Sequence, residues 1–156
     1  MKKLIIFIII LVSVNLYAVC LDGYCEGQVA LNSGFFNPQS GEYHGEWKNG
    51  KPDGRGTFIS DDKNYKYTGF WKNGKCFGQG VYLQTNGFKY EGNFNEYGAP
   101  DGYGIMTLPK GQVYTGEIKY DKVSGQSFWE GQGKLCGNGI CVQGIWEKNK
   151  LIKEVE

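Results

Sequence analysis

The stretch Tyr43-His-Gly-Glu-Trp-Lys-Asn-Gly-Lys-Pro-Asp-Gly-Arg-Gly56 recurs 24 residues later as Tyr67-Thr-Gly-Phe-Trp-Lys-Asn-Gly-Lys-Cys-Phe-Gly-Gln-Gly80. Successive side chains on a strand point to opposite faces, so Tyr43, Gly45 and Trp47 share one face, with His44, Glu46 and Lys48 on the other. Asn49-Gly50 is a type I′ turn signal, which reverses the chain. On the return strand the same alternation groups Gly54, Gly56 and Phe58. Each copy therefore reads as a β-hairpin with one aromatic face, whose glycines leave room for rings to lie flat on the backbone. A lone hairpin cannot bury its rings, but stacked hairpins share a continuous ribbon of them.

Working outward, two further copies start at Tyr90 and Tyr114, with a degenerate fifth at Val142-Gln-Gly144-Ile-Trp146. The repeat-defining residues are Tyr43, Gly45, Trp47, Gly54 and Gly56; Tyr67, Gly69, Trp71, Gly78 and Gly80; Tyr90, Gly92, Phe94, Gly102 and Gly104; Tyr114, Gly116, Gly131 and Gly133; then Gly144 and Trp146. Repeat three has one extra residue before Gly102. Repeat four carries an insertion within 121–129 and has Ile118 in the aromatic slot. The composition agrees: 25 glycines among 156 residues, with 15 % aromatics, exclude a helical bundle and a disordered chain. Four prolines and no Gly-X-Y period exclude collagen.

The pattern Tyr-x-Gly-x-Trp followed by Gly-x-Gly resembles the MORN (membrane occupation and recognition nexus) repeat. The resemblance covers about residues 43–150, with copies starting near 43, 67, 90, 114 and 142. It implies an all-β fold, an elongated twisted antiparallel sheet of stacked hairpins. It also implies a non-enzymatic binding or scaffold role, because no catalytic residue belongs to the motif.

Residues 1–18 read as a secretory signal peptide. Lys2 and Lys3 precede an apolar run, and a cleavage point follows Ala18. A retained membrane anchor is the alternative. Removing these residues takes away two lysines and no acid, so the formal charge moves from +1 to −1. Such a body offers no electrostatic case for nucleic acid. Residues 19–42 read as an N-terminal cap with a half-repeat, Cys25-Glu-Gly27 being a lone return strand and 32–41 a joining loop. Residues 151–156 read as a C-terminal tail.

The sequence motivates no catalytic, cofactor or metal site. Gly45 to Lys51 and Gly69 to Lys75 approach a phosphate-loop pattern, but both fall in hairpin turns and lack the Ser or Thr that follows the Lys. Glu46 and Glu117 occupy one repeat position and read as part of a solvated stripe. His44 reads as a surface histidine. Cys20 with Cys25, and Cys136 with Cys141, are close pairs in an exported chain and hence candidate disulfides, with Cys76 left unpaired. A four-thiolate zinc site would need opposite ends of a linear stack to meet.

Two surface features remain. Ile59, Val81, Leu83, Tyr103 and Ile105, with Phe70 nearby, put apolar side chains on the nominally polar face. They mark a protein-partner surface or a homo-oligomer face, unless the chain's own loops cover them. Lysines 48, 51, 72, 75, 119, 122, 148 and 150 gather near the hairpin turns, where a phospholipid headgroup layer would be the competing partner. The expectation is an exported scaffold or protein-binding module of the cell envelope, whether periplasmic, cell-surface or secreted.

Overall fold

The computed structural model describes residues 18–21, 24–31 and 39–155. The strands are β1 (Ala18–Leu21), β2 (Tyr24–Leu31), β3 (Gln39–Lys48), β4 (Lys51–Ser60), β5 (Tyr65–Lys72) and β6 (Lys75–Gln84). They continue as β7 (Lys89–Phe94), β8 (Pro100–Thr107), β9 (Val113–Asp121), β10 (Gln126–Gly137), β11 (Ile140–Glu147) and β12 (Lys150–Glu154). They form one antiparallel sheet in strict sequence order, without a crossover, and no helix occurs among the described residues.

The register explains the repeat. Cross-strand pairing sets Gly45, Gly56, Gly69, Gly80, Gly92, Gly104, Gly116, Gly133 and Gly144 side by side in one continuous row. Two residues along, Tyr43, Phe58, Tyr67, Tyr82, Tyr90, Met106, Tyr114 and Leu135 make a parallel row. Tyr43, Tyr67, Tyr90 and Tyr114 each lie across the glycine pair of their own hairpin. The hydroxyl donates to a carbonyl three residues on: Tyr67 to Phe70 O at 2.9 Å, Tyr90 to Asn93 O at 2.8 Å and Tyr114 to Glu117 O at 2.9 Å. A methyl group at Gly92 would stand 2.5 Å from Tyr90 Oη, so the ring and a side chain there exclude one another. All four tyrosines at this position, 43, 67, 90 and 114, are buried.

Neighbouring hairpins are joined by aromatic edge contacts. Tyr43 meets Trp71 at 5.1 Å between ring centroids and Tyr67 meets Phe94 at 5.0 Å. Trp71 Nε1 also donates to Gly56 O of the preceding hairpin. Such contacts are each worth about 0.5–1.5 kcal/mol beyond area burial. Where Ile118 replaces the aromatic, Trp129 pairs opposite it and stacks on Tyr114 at 4.4 Å. The repeat-four insertion thus restores the missing ring.

The turns form as their residues dictate. Asn49 and Gly50 have φ of 51° and 71°, and Asn73 and Gly74 have 51° and 81°, the left-handed pair that a type I′ turn demands. The return strands depart from simple alternation, however. Between Gly45↔Gly56 and Trp47↔Pro52 a single residue of β3 faces three of β4. The same bulge recurs in the next three hairpins. Gly54 therefore does not share the aromatic face with Gly56 and Phe58. It sits in the bulge with a φ of 106°, against the Glu46 side chain on the other face. The extra residue of repeat three enlarges the turn between Phe94 and Pro100 and leaves the bulge unchanged.

The ends also differ from the sequence expectation. β2 is not a lone strand, because β1 pairs on its far side, with Ala18 opposite Gly27. Gln39 to Gly41, expected in a loop, belong to β3 and pair with Leu31 to Val29. The rest of that loop, and residues 1–17 of the leader, lie outside the described residues. The C-terminal tail is largely the twelfth strand, paired with β11.

Candidate functional site

With Tyr43, Tyr67, Tyr90 and Tyr114 and the tryptophans packed on one face of the sheet, a selective surface is sought on the opposite face and at the turn edges. The opposite face is built of three rows flanking the glycine row. His44, Thr57, Thr68, Val81, Glu91, Ile105 and Thr115 make one, in pairing order. Glu42, Ile59, Lys66, Leu83 and Lys89 make the second. The third crosses the bulges and holds Arg55 opposite Phe70, Gln79 opposite Asn93, and Tyr103 opposite Glu117.

All six candidate partner-surface residues fall on this face, and the register spaces them. No two are directly paired: Lys66 stands between Ile59 and Leu83, and Glu91 between Val81 and Ile105. Five of the six form stripes on the return strands, interleaved with Lys66, Lys89 and Glu91 on the outgoing ones, whereas Phe70 lies on the outgoing strand β5, opposite Arg55. Tyr103 is 62 % exposed, Ile105 41 %, Phe70 39 % and Leu83 38 %, while Ile59 and Val81 are half-buried. The repeat-four insertion packs elsewhere. It extends β9 and β10 beyond the common hairpin length, Ser127 Oγ donates to Pro100 O, and Tyr120 stacks on Tyr97 at 5.4 Å.

The bulges give the polar residues of this face a structural task. Glu46 Oε1 accepts the Arg55 N–H at 3.0 Å, and Glu117 packs its carboxylate over Gly131 as Glu46 does over Gly54. These acids brace the bulge and are not simply a solvated stripe. The acid that opens the bulge in the first, third and fourth hairpins is likewise employed. Asp53 Oδ2 accepts the N–H of Asn73 in the following turn, Asp101 Oδ2 accepts from Asn95 Nδ2, and Glu130 Oε2 accepts the Lys148 N–H. Hairpin two breaks the pattern at both positions, with Phe70 where the others have Glu46, Asn93 and Glu117, and Phe77 where they have Asp53, Asp101 and Glu130. Phe77 was not among the candidates. Comparing the copies at the position before the first glycine of the Gly-x-Gly pair would have found it.

These two rings border a groove of about 690 Å³ on the bulge of hairpin two. Arg55 Cζ lies 4.9 Å from the centre of Phe70, and Lys72 Nζ 5.0 Å from that of Phe77. A second groove of about 460 Å³, reaching His44 and Thr57, shares Phe70 and Gln79 with the first. His44 lies 3.9 Å from the Glu42 carboxylate.

At the turn edge the lysines are distributed unevenly. Lys48 pairs opposite Lys51, and Lys72 opposite Lys75. Lys122 instead stands 3.8 Å from Glu96 and over the Tyr97 ring, whose hydrogen bond raises the ammonium pKa.

Cys136 and Cys141 are directly opposite on β10 and β11 and form a disulfide across the Asn138-Gly139 turn. The strands run up to the turn through Gly137 and Ile140. The bond fits an oxidising environment. Cys20 and Cys25 are likewise opposite in the backbone register of β1 and β2, and their side chains lie outside the described residues. Cys76 is free and buried, and burial pushes its thiol pKa up, so it is a core residue and not a reactive thiolate.

No curated protein matches the chain. The family model for the MORN repeat matches residues 43–65, 67–88 and 90–113, in phase with the hairpins β3–β4, β5–β6 and β7–β8. The chain thus carries three consecutive MORN repeats over residues 43–113, set within one longer antiparallel sheet.

Proposed function

We propose that this chain is a non-enzymatic docking module, exported to the cell envelope, that binds a protein on the sheet face opposite its buried tyrosine row. The observation that carries the reading is the exposure of Tyr103, Ile105, Phe70 and Leu83 on a face that the fold does not need for its core. Apolar side chains left in water on a face without a core role are the usual mark of an interaction surface. The charged residues between them, Lys66, Lys89 and Glu91, suit a partner whose own charges set the register. Export is supported by the leader-like start of the sequence and by the Cys136–Cys141 disulfide.

Affinity capture from an envelope fraction, read by mass spectrometry, tests the assignment. Val81→Asp with Ile105→Asp should abolish capture of the specific partner while circular dichroism remains unchanged. Each central apolar contact is worth about 2 kcal/mol, so losing both exceeds a hundredfold in affinity. Retained binding refutes the surface. Salt separates this reading from lipid binding through the turn lysines: co-sedimentation with anionic vesicles must weaken as salt rises, and apolar docking should not.

A further inference from the structure

The groove on hairpin two has a chemistry that its own fold does not require. At two positions the other hairpins use a polar side chain to brace a bulge or cap a turn, and at both this hairpin carries phenylalanine. Phe70 and Phe77 are 39 % and 37 % exposed and border the same groove. Three cations surround them: Arg55 over Phe70, Lys72 over Phe77, and Lys48 on the groove wall. None of the three makes an ion pair with another described residue. The one carboxylate lining the groove, Asp53, is occupied by the Asn73 amide.

We propose that this groove binds an acidic, extended peptide segment of a protein partner, with an aromatic or aliphatic side chain seated between Phe70 and Phe77. The proposal rests on the protein-docking reading above and assigns it a second contact region and a partner chemistry. Apolar walls call for an apolar anchor, and unpaired cations at their rim call for carboxylates around that anchor. The two adjoining grooves run from His44 and Lys48 on β3 to Asn93 on β7. Four strand spacings of about 4.8 Å make a path of roughly 19 Å, the reach of about six extended residues at ~3.3 Å each. A free phosphate or a lipid headgroup would engage the cations and leave the two rings without a function.

The probe is the hexapeptide Ac-Glu-Asp-Phe-Leu-Glu-Asp-NH2, titrated into the isotope-labelled full chain and followed by amide chemical shifts. Its basic counterpart, Ac-Lys-Arg-Phe-Leu-Lys-Arg-NH2, is the charge control. Phe70→Glu and Phe77→Asp install the residue types of the first hairpin at these positions, so both variants should fold. The expected result is a saturable response to the acidic peptide centred on Phe70, Phe77, Arg55 and Lys72. Either substitution should weaken it by about tenfold or more, the signature of losing an anchor contact. Equal binding of the basic peptide, no saturable shift at millimolar peptide, or affinity unchanged in both variants overturns the proposal. So does displacement of the acidic peptide by inorganic phosphate or anionic vesicles at lower concentration than the peptide itself, which points to phosphate or lipid recognition. Shifts confined to Val81 and Ile105 overturn the groove assignment while leaving the docking face standing.

Discussion

Replacing Gly69 by alanine places a single methyl group where the structure is most crowded. Its Cβ would stand 2.5 Å from Gly80 Cα, 2.6 Å from Gln79 O and 2.7 Å from Tyr67 Oη. Two of these three atoms are backbone of the paired strand, so the clash is relieved by separating β5 from β6 or by lifting the Tyr67 ring. Overpacking of this kind costs about 1–3 kcal/mol by itself. Lifting the ring also breaks the Tyr67 hydrogen bond to Phe70 O, worth about 1 kcal/mol. It further disturbs the edge contacts with Trp71 and Phe94, both at 5.0 Å, each worth about 0.5–1.5 kcal/mol. The expected destabilisation is about 3–7 kcal/mol, a large part of the ~5–15 kcal/mol available to a domain. Urea unfolding measures it. Gly111→Ala is the control: that glycine has a φ of 82° and open space around it, so it reports backbone strain alone, about 1–2 kcal/mol. Tyr67→Leu completes a double-mutant cycle, in which the combined loss should fall short of the sum by about 1 kcal/mol or more. If Gly69→Ala costs no more than Gly111→Ala, or if the cycle is additive, the ring-over-glycine account of this fold is wrong.

Two further outcomes follow from the same structure. Cys136→Ser should lower stability by about 2 kcal/mol, the loop-closure value for so short a cross-link; an unchanged urea midpoint under reducing conditions would show that the Asn138-Gly139 turn holds the hairpin unaided. Stability should also fall at alkaline pH, because burial pushes the Tyr114 phenol up to about 12 and raises Tyr67, Tyr82 and Tyr90 as well. Unfolded tyrosine ionises near ~10, so the folded state holds the extra protons above that pH; the contribution is complete below ~10 and is lost as pH rises through the folded values. Tyrosinate absorbance should appear together with unfolding, and early ionisation of a fully folded chain would contradict the burial.

Much of the fold can be read from the chain because its information is local and repeated. A tyrosine, a glycine and a tryptophan spaced by two define a face, Asn-Gly defines a turn, and recurrence at about 24 residues shows that the units stack. The same alternation misplaced Gly54 and missed the bracing role of Glu46. A bulge inserts residues into one strand only, and its presence depends on which carbonyls and amides meet across the pair. The sequence shows the insertion in repeat four and Ile118 in the aromatic slot, but only the pairing shows that Trp129 fills the ring position that Ile118 leaves empty.

The candidate surface shows the same division. Period two was enough to put Ile59, Phe70, Val81, Leu83, Tyr103 and Ile105 on the face opposite the Tyr43, Tyr67, Tyr90 and Tyr114 row. Strand pairing decided that Lys66 and Glu91 separate them, and that Phe70 and Phe77 share one groove beneath Arg55 and Lys72. By itself the sequence determined the hairpin, its turn and the ring-on-glycine face, because those follow from spacing along one strand. Only the tertiary structure decided the bulges, the stripes and the groove, because each is set by the hydrogen-bond register between strands, which no single strand contains.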